Sequence, residues 1–371
     1  MKTLNIDTLV SAIERRMEND LALCNVGGAS VLVWQDGSTV YKKHFGVSDT
    51  VGSAVTDNTL FRLASMTKPI TSVAVMILVD RGLISLDDTV EKFYPSFADL
   101  KVIENDTVVD IESKITVAHL LSHTSGVGSG IAERYAGRRM TVEDIADVEH
   151  FTEFISVQPL SFRPGTRQEY SGVFAFSILT GIIQKISGMP YSEFLKKEIF
   201  EPCGMVDTTF EPTEEQWGRL ITMHNKVDGK NAVGETFPDC VFARFPVKNY
   251  LGGAGLISSL SDYLNFARML YNGGVSDGKR IVSERAVKEI STLRFPSRPT
   301  EGWGLGVRVI NSDPANVLPE GSFGWSGAYG SHFWIDPVNR VIGIYMKNSK
   351  FDGGSGAITS KNFEIDVYSV I

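Results

Sequence analysis

The sequence predicts an α/β (α+β) fold, in which an antiparallel sheet is flanked by helices and joined to a mostly helical second domain. Strand patterns cluster at both ends of the chain, and helical spacing of apolar residues dominates the middle. Because a sheet must be covered by other elements, we expect both ends to form one α/β unit. The predicted division is 1–85 with 240–371 for the α/β domain and 86–239 for the helical domain, with the candidate active-site cleft between them.

The individual elements follow from the period of the apolar residues and from the turn residues between them. In the first third of the chain, the predicted elements are a helix at 6–21, a hairpin of strands 31–34 and 40–45 around Asp36-Gly37, and a helix from Ser65 to about Ile84 that ends near Gly82. Further helices are predicted at 117–121, 142–155, 174–186, 191–199 and 261–271. Alternating runs at 304–310, 332–335 and 341–347 predict antiparallel strands, and the glycine-rich segment 352–356 predicts a loop.

Charge and hydropathy exclude two classes of partner. The formal net charge of the 371 residues is −8 and is spread without long runs of one sign, whereas binding to a phosphate backbone needs clustered Lys and Arg. The apolar stretches, such as 70–79, are far shorter than the roughly 20 residues that cross a bilayer. We therefore expect neither nucleic acid nor a membrane as a partner. The sequence does not indicate an oligomeric state.

Cysteine usage and the first residues predict the compartment. Cys24, Cys203 and Cys240 are odd in number and widely spaced, which suits a reduced interior better than a disulfide framework. The start of the chain lacks the continuous apolar core of a signal peptide. A cytoplasmic location is the resulting prediction, although a leader removed by processing stays an alternative.

Ser65 and Lys68 are the strongest candidate for catalytic chemistry. They form a Ser-x-x-Lys pair at the start of a predicted helix, where residues three apart share a face. Free N–H groups and the positive end of the helix dipole favour a developing anion there. A lysine can activate a serine only if burial lowers its pKa, and the apolar residues 70–75 favour such burial. The same pair also fits a helix cap beside a solvated lysine.

Ser276 offers a competing pattern. It begins a second Ser-x-x-Lys pair, which ends at Lys279, and it lies in the chain's Gly-x-Ser-x-Gly sequence. A nucleophile elbow of that kind requires a strand before the serine and a helix after it, whereas here a helix leads into a glycine-rich turn. A triad of Ser276 with His332 is a further alternative, but the alternating residues around His332 favour an ordinary strand position.

Metal and cofactor sites are not predicted. His119 and His123 stand four apart on a helical run and in that respect resemble a metal-binding pair. Leu120, however, occupies the position of the metalloprotease glutamate, and the sequence offers no evident third ligand. We therefore expect an enzyme without a cofactor.

Several blocks of sequence together resemble one family. In chain order they are Phe61-Arg62-Leu63-Ala64-Ser65-Met66-Thr67-Lys68-Pro69, Leu83-Ile84-Ser85-Leu86-Asp87-Asp88, Leu120-Leu121-Ser122-His123-Thr124-Ser125-Gly126, Pro164-Gly165-Thr166 before Tyr170-Ser171, Gly252-Gly253-Ala254-Gly255-Leu256, and Phe333-Trp334-Ile335-Asp336-Pro337. These blocks are similar to those of the serine β-lactamase and penicillin-recognising family, in particular class C β-lactamases, family VIII carboxylesterases and D-amino-acid-specific peptidases. The resemblance implies a β-lactamase-like fold and spans most of the chain.

The resemblance also implies roles for individual residues. Ser65 would be the nucleophile and Lys68 its partner, and Tyr170 would carry protons between nucleophile and leaving group. The backbone N–H groups of Ser65 and Ala328 would form the oxyanion hole. A phenol acts as a base only beside a cation, which Lys68 would supply.

Two departures from the family pattern predict the substrate class. Gly172 replaces an asparagine that contacts the substrate amide in β-lactamases, and Trp325 replaces a Lys or His that binds the substrate carboxylate or assists proton transfer. The same departures are similar to those of family VIII carboxylesterases, so an esterase for small or short-chain esters is the preferred function. The residues expected to bind substrate are Trp325, Ser326, Gly327, Gly172 and Phe323, with Trp303 as a further wall of the acyl pocket. The alternatives are a β-lactamase or D-specific peptidase, and a non-catalytic penicillin-binding-like sensor.

Overall fold

The computed structural model of the protein describes residues 4–128, 140–233 and 249–371. Its helices are α1 (Ile6–Ala22), α2 (Thr67–Asp80), α3 (Val117–Leu121), α4 (Val148–Ser156), α5 (Phe174–Ser187), α6 (Tyr191–Leu195), α7 (Glu214–Arg219), α8 (Leu260–Tyr271), α9 (Glu284–Ser291) and α10 (Ile358–Tyr368). Its strands are β1 (Gly28–Gln35), β2 (Ser38–Gly46), β3 (Leu60–Arg62), β4 (Lys101–Glu104), β5 (Thr107–Asp110), β6 (His224–Val227), β7 (Lys230–Val233), β8 (Ile257–Ser259), β9 (Val275–Ser276), β10 (Lys279–Arg280), β11 (Phe295–Arg298), β12 (Glu301–Trp303), β13 (Arg308–Ile310), β14 (Phe323–Ser326), β15 (His332–Asp336) and β16 (Val341–Lys347).

One antiparallel sheet joins the two ends of the chain. Its eight strands lie in the order β11-β12-β13-β14-β15-β16-β1-β2, so the N-terminal hairpin pairs with the last strand of the chain. The register sets Val31 opposite Tyr345 and Leu32 opposite Ile344. An α/β fold with an antiparallel sheet flanked by helices is therefore confirmed.

Each face of the sheet packs against its own set of helices. On β1, Val31 belongs to the apolar cluster formed with α1 and α10, whereas Leu32 belongs to the larger cluster formed with α2, α5 and α8. The same alternation on β15 places Phe333 in the larger cluster and Trp334 in the cluster with α1 and α10. Both faces of the central strands are thus buried, which explains why every residue of β15 and β16 is buried, whereas most residues of the edge strands β2 and β11 are exposed or half-buried.

Several predicted elements differ in detail from the observed ones. The predicted helix at 142–155 is interrupted, because the Asp147 side chain accepts the N–H of His150 and starts α4 there. The predicted strand at 304–310 is shorter, because the N–H of Gly304 donates to the carbonyl of Val307 and closes a turn. The hairpin β4–β5 and the helices α9 and α10 were not predicted.

The segment that precedes Ser65 is fixed from two sides. Strand β3 pairs with β8, and the N–H of Leu63 donates to the carbonyl of Leu256 at 2.9 Å. The side chain of Asn348 accepts the N–H of Arg62 at 2.8 Å and donates to its carbonyl at 3.0 Å. Because Asn348 comes directly after β16, these hydrogen bonds tie the segment before Ser65 to the end of the large sheet.

Two further predictions involve residues that the structure does not describe. The predicted domain division stays a prediction, and its boundary at 239/240 falls in 234–248, outside the described residues. Cys24 and Cys203 are free thiols, and Cys240 lies in the same undescribed segment. Within residues 4–128, 140–233 and 249–371, no helix combines the length and apolar character needed to span a membrane.

Candidate active site

Ser65 lies in a tight turn immediately before α2. The turn is a 3₁₀ helix at Ala64–Met66, and Ala64 has a φ of 45°, in the left-handed region that residues with a side chain rarely adopt. Such a conformation costs about 1–3 kcal/mol and persists only where the surroundings hold it, here through the contacts of Arg62 and Leu63. The strain lies directly beside the candidate nucleophile.

Lys68 is completely buried in the first turn of α2. Its Nζ donates to the carbonyls of Gly172 at 2.6 Å and Gly253 at 2.9 Å, and it lies 3.4 Å from Oγ of Ser65. Burial lowers the pKa of Lys68. The electrostatic interaction with Tyr170 and the hydrogen bond to it act in the opposite direction. A neutral amine has two N–H groups and one lone pair. The amine therefore lies where, in its neutral form, it can accept the proton of the Ser65 hydroxyl.

Tyr170 approaches the same amine from a different part of the chain. Nζ of Lys68 lies 4.9 Å from the centroid of the phenol ring. The indole N–H of Trp325 donates to the Tyr170 hydroxyl oxygen at 3.2 Å. A donor directed at the phenol oxygen stabilises negative charge on it. The structure thus brings together Ser65, Lys68 and Tyr170, as the sequence predicted, and adds an N–H donor from Trp325 that the sequence analysis treated only as an apolar wall.

Two indole rings and an imidazole pack around Tyr170. Trp303 stacks on Tyr170 with a centroid distance of 5.5 Å and contacts Trp325 edge-on at 4.5 Å. His123 packs against Tyr170 at 4.7 Å and Trp303 at 4.4 Å. The tyrosine ring is therefore held on several sides by aromatic neighbours.

His123 also fixes the backbone beside Tyr170, a role the sequence analysis missed. Its carbonyl accepts the N–H of Glu169 at 3.0 Å, and its Nδ1 accepts the N–H of Ser171 at 3.2 Å. Burial and the charge of Lys68 lower the pKa of His123 well below the ordinary value, so the ring is neutral and its Nδ1 is free to accept. The sequence did contain a hint of this role, because His123 lies in the family-like block 120–126 and the next such block contains Tyr170.

The metal alternative for His119 and His123 is not supported by their contacts. Nδ1 of His119 accepts the N–H of Thr116 in a capping box of α3, while His123 contacts Ser171. Within the part of the chain that the structure describes, no group of three or more His, Cys, Asp or Glu side chains is arranged to hold a metal ion.

A cavity of about 400 Å³ opens beside Ser65. Its walls include the candidate site residues Ser65, Tyr170, Trp303, Trp325, Ser326 and Ala328. Gly172 contributes its carbonyl to Lys68 rather than a wall of the cavity. Phe323 is buried in the core cluster two residues before Trp325 and does not line this cavity.

Gly327 has a packing role next to the cavity. A Cβ at this position would overlap the carbonyl oxygen of Leu63 and the hydroxyl of Ser331. The close approach sets the end of β14, and Ala328 after it, against the turn that carries Ser65. Only glycine permits this distance.

Ser276 lies elsewhere in the fold. It is the last residue of β9, which forms a hairpin with β10 after α8, and each of these strands has two residues. Its hydroxyl hydrogen-bonds to the Cys203 thiol. His332 contacts Ser326 and Glu364. The order of helix, hairpin and helix around Ser276 is not that of a nucleophile elbow.

Comparison with known proteins agrees with this geometry. Residues 13–362 match the Beta-lactamase family, and the chain belongs to that family. It is 27% identical over 385 residues to Esterase EstB of Burkholderia gladioli, covering 96% of this chain and 95% of that protein. It is 26% identical over 354 residues to a putative D-alanyl-D-alanine carboxypeptidase of Escherichia coli K12, covering 87% and 79%.

Among solved structures, the chain is similar to EstCE1, described as a hydrolase with promiscuous acyltransferase activity. The TM-score is 0.84 at 21% sequence identity, covering 98% of this chain and 99% of the other. At that identity the likeness supports the fold. Family and fold together identify a serine hydrolase of the β-lactamase family.

Proposed function

We propose that the protein is a carboxylesterase that forms an acyl-enzyme on Ser65 and acts on small or short-chain esters. The observation that carries the proposal is the arrangement around Lys68, whose buried amine is held by two backbone carbonyls with its Nζ 3.4 Å from the Ser65 hydroxyl oxygen. The cavity of about 400 Å³ is of a size that accepts a small ester. Its aromatic wall offers contact to an alkyl or aryl group.

The proposed reaction has two steps. In the first, the oxygen of Ser65 attacks the ester carbonyl carbon, and Lys68 together with Tyr170 accepts the hydroxyl proton. The oxyanion is stabilised by the N–H groups of Ser65 and Ala328, and the proton passes to the departing alkoxide. In the second step, water attacks the acyl-enzyme through the same relay in reverse and regenerates Ser65.

Turnover of p-nitrophenyl acetate by the Ser65→Ala variant tests the proposal. We expect the variant to lose all turnover above background, whereas Ser276→Ala, the matched control in the other Ser-x-x-Lys pair, keeps wild-type turnover. Undiminished turnover in Ser65→Ala would refute the proposal. Loss of turnover in Ser276→Ala instead would favour the nucleophile-elbow alternative.

The Escherichia coli relative favours a second candidate, a peptidase for D-amino acids or a β-lactamase on the same fold. Against it, Trp325 stands where a cation would bind the substrate carboxylate and commits its N–H to Tyr170. Assays with a D-Ala-D-Ala peptide and a chromogenic cephalosporin separate these activities from ester hydrolysis. Intact-protein mass spectrometry with an activated ester separates an enzyme, which sheds the adduct, from a sensor that retains it.

A further inference from the structure

A chain of three buried polar side chains runs from the cavity into the protein. Ser326 on β14 faces His332 on β15 as a cross-strand pair, and Oγ of Ser326 lies 2.8 Å from Nδ1 of His332. Nε2 of His332 lies 2.7 Å from Oε1 of Glu364 on α10. The exposed fractions are 4% for Ser326, 1% for His332 and 2% for Glu364. The ester mechanism proposed above uses none of these three side chains.

The direction of each hydrogen bond follows from the charge of Glu364. Its carboxylate also accepts from Arg308 at 2.9 Å and from Lys361 at 3.1 Å. Burial alone would raise the pKa of Glu364, but the hydrogen bond to His332 and the positive charges of Arg308 and Lys361 hold it below the ordinary value. An ionised carboxylate only accepts hydrogen bonds, so Nε2 of His332 must carry a hydrogen.

The remaining nitrogen of His332 then determines the orientation of Ser326. Burial, together with the positive charges of Arg308 and Lys361, outweighs the opposing effect of Glu364 and lowers the pKa of His332, so around neutral pH the ring is neutral and bears a single hydrogen, on Nε2. Nδ1 therefore presents a lone pair and can only accept. The Ser326 hydroxyl must donate its hydrogen to Nδ1, which leaves only oxygen lone pairs for the cavity.

We infer that His332 and Glu364 hold Ser326 as a hydrogen-bond acceptor of the cleft, and that the site recognises substrates with an N–H or O–H group beside the ester. The inference deepens the proposed esterase function and rests on it. Ser326 and Ser65 line the same cavity, so one small substrate can reach both. Arg308, which also lines this cavity, is neutralised by Glu301 at 3.3 Å and by Glu364. His332 and Glu364 act as positioning residues, because His332 contacts Ser326 and Glu364 contacts His332 rather than the reacting atoms.

The tautomer of His332 is measured without substrate. In protein labelled with ¹⁵N-histidine, the long-range ¹H–¹⁵N spectrum is expected to show His332 as the neutral Nε2–H form around neutral pH. The chain has 6 histidines, so the loss of one signal set in His332→Phe assigns the residue. Lys43→Met, which removes an exposed ion pair with Glu14 and no contact of His332 or Glu364, is the control and should keep the tautomer. An Nδ1–H form or an imidazolium would overturn the inference.

The kinetic arm compares two isosteric substrates. One p-nitrophenyl ester carries a terminal carboxamide and the other a methyl ketone, which replaces the NH₂ donor by a methyl group. We expect the wild type to prefer the carboxamide by about tenfold in kcat/KM, the value of one hydrogen bond. The preference should vanish in Ser326→Ala and persist in Ser326→Thr. In His332→Phe the freed hydroxyl can donate, so turnover of a carboxylate-ended ester should rise relative to the carboxamide.

The outcomes separate this inference from the function on which it rests. A carboxamide preference that persists in Ser326→Ala would overturn the acceptor role while leaving the esterase intact. Ester turnover that persists in Ser65→Ala would overturn the function itself, and the His332 tautomer would still decide the orientation of Ser326. If His332→Phe does not fold, the carboxamide preference of the wild type, Ser326→Ala and Ser326→Thr still tests the inference.

Discussion

Nδ1 of His123 accepts the N–H of Ser171 at 3.2 Å, and the His123 ring packs against the ring of Tyr170. This relationship fixes the backbone on the C-terminal side of Tyr170, while the His123 carbonyl fixes the N-terminal side through Glu169. The position of the phenol over Lys68 thus depends on a residue that lies 47 positions earlier in the chain. His123 itself has a φ of 58°, so the loop that carries it is also held in an uncommon conformation.

His123→Phe is expected to lower kcat about 10- to 100-fold, because the ring packing is kept but Tyr170 loses its backbone support. The unpaired N–H of Ser171 should also cost about 1–3 kcal/mol in the free energy of unfolding. His119→Phe is the matched control. It removes a similar hydrogen bond in which a histidine Nδ1 accepts a backbone N–H, here at the start of α3, so its stability should fall while kcat stays near wild type. Equal kcat in both variants would show that His123 has no positioning role.

Trp325→Phe is expected to lower kcat/KM for p-nitrophenyl acetate about 10- to 100-fold. The phenyl ring keeps the apolar wall but removes the N–H that donates to the Tyr170 oxygen, and leaving the half-buried Tyr170 without this donor costs about 1–3 kcal/mol. Trp303→Phe removes an indole from the same wall without removing a donor to Tyr170, so its effect should be smaller. The idea fails if the two variants lose the same activity.

Lys68 predicts the pH dependence of the reaction. Burial lowers its pKa, and only the neutral amine can accept the Ser65 proton. As the pH falls through this lowered pKa the amine becomes charged, so kcat/KM should fall on the acidic side and be retained above the pKa. Lys68→Arg should lose about 10²- to 10⁴-fold of activity and its acidic limb, because arginine stays protonated. Lys43→Arg, at an exposed ion pair with Glu14, should keep the wild-type profile.

The sequence was sufficient for the fold class and for the proximity of Ser65 and Lys68, which rests on a local pattern, whereas their proposed catalytic role needed the family resemblance. Helical spacing places Lys68 one turn after Ser65, and the structure has their polar atoms 3.4 Å apart. The ends of α1, α8 and β16 also follow closely from the apolar period. Tyr170 needed the family resemblance, since nothing local distinguishes it from a packed aromatic.

The remaining site features depend on contacts between distant segments. Trp325 donates to Tyr170, which lies 155 positions earlier in the chain. The sequence around Trp325 indicates only an aromatic residue on a strand. Glu364 was not considered, because α10 follows a glycine-rich segment and its apolar residues do not form a clear stripe. The left-handed conformation of Ala64 also has no sequence signal, since it is imposed by the contacts of Arg62 and Leu63 rather than by a glycine.

Gly327→Ala tests whether the close approach of β14 to the turn before α2 maintains the site. The added Cβ would overlap the carbonyl oxygen of Leu63, so either β14 or the Ser65 turn must move. We expect a loss of about 1–3 kcal/mol in the free energy of unfolding and a fall in kcat of about 100-fold, since a displacement of about 1 Å at the reacting atoms costs that much. Gly218→Ala is the matched control, because nothing lies within 4 Å of its Cβ and it is in helix α7. That variant should gain up to about 1 kcal/mol and keep full activity. Unchanged turnover in Gly327→Ala, measured beside its urea denaturation midpoint, would show that the Ser65 turn does not depend on this contact.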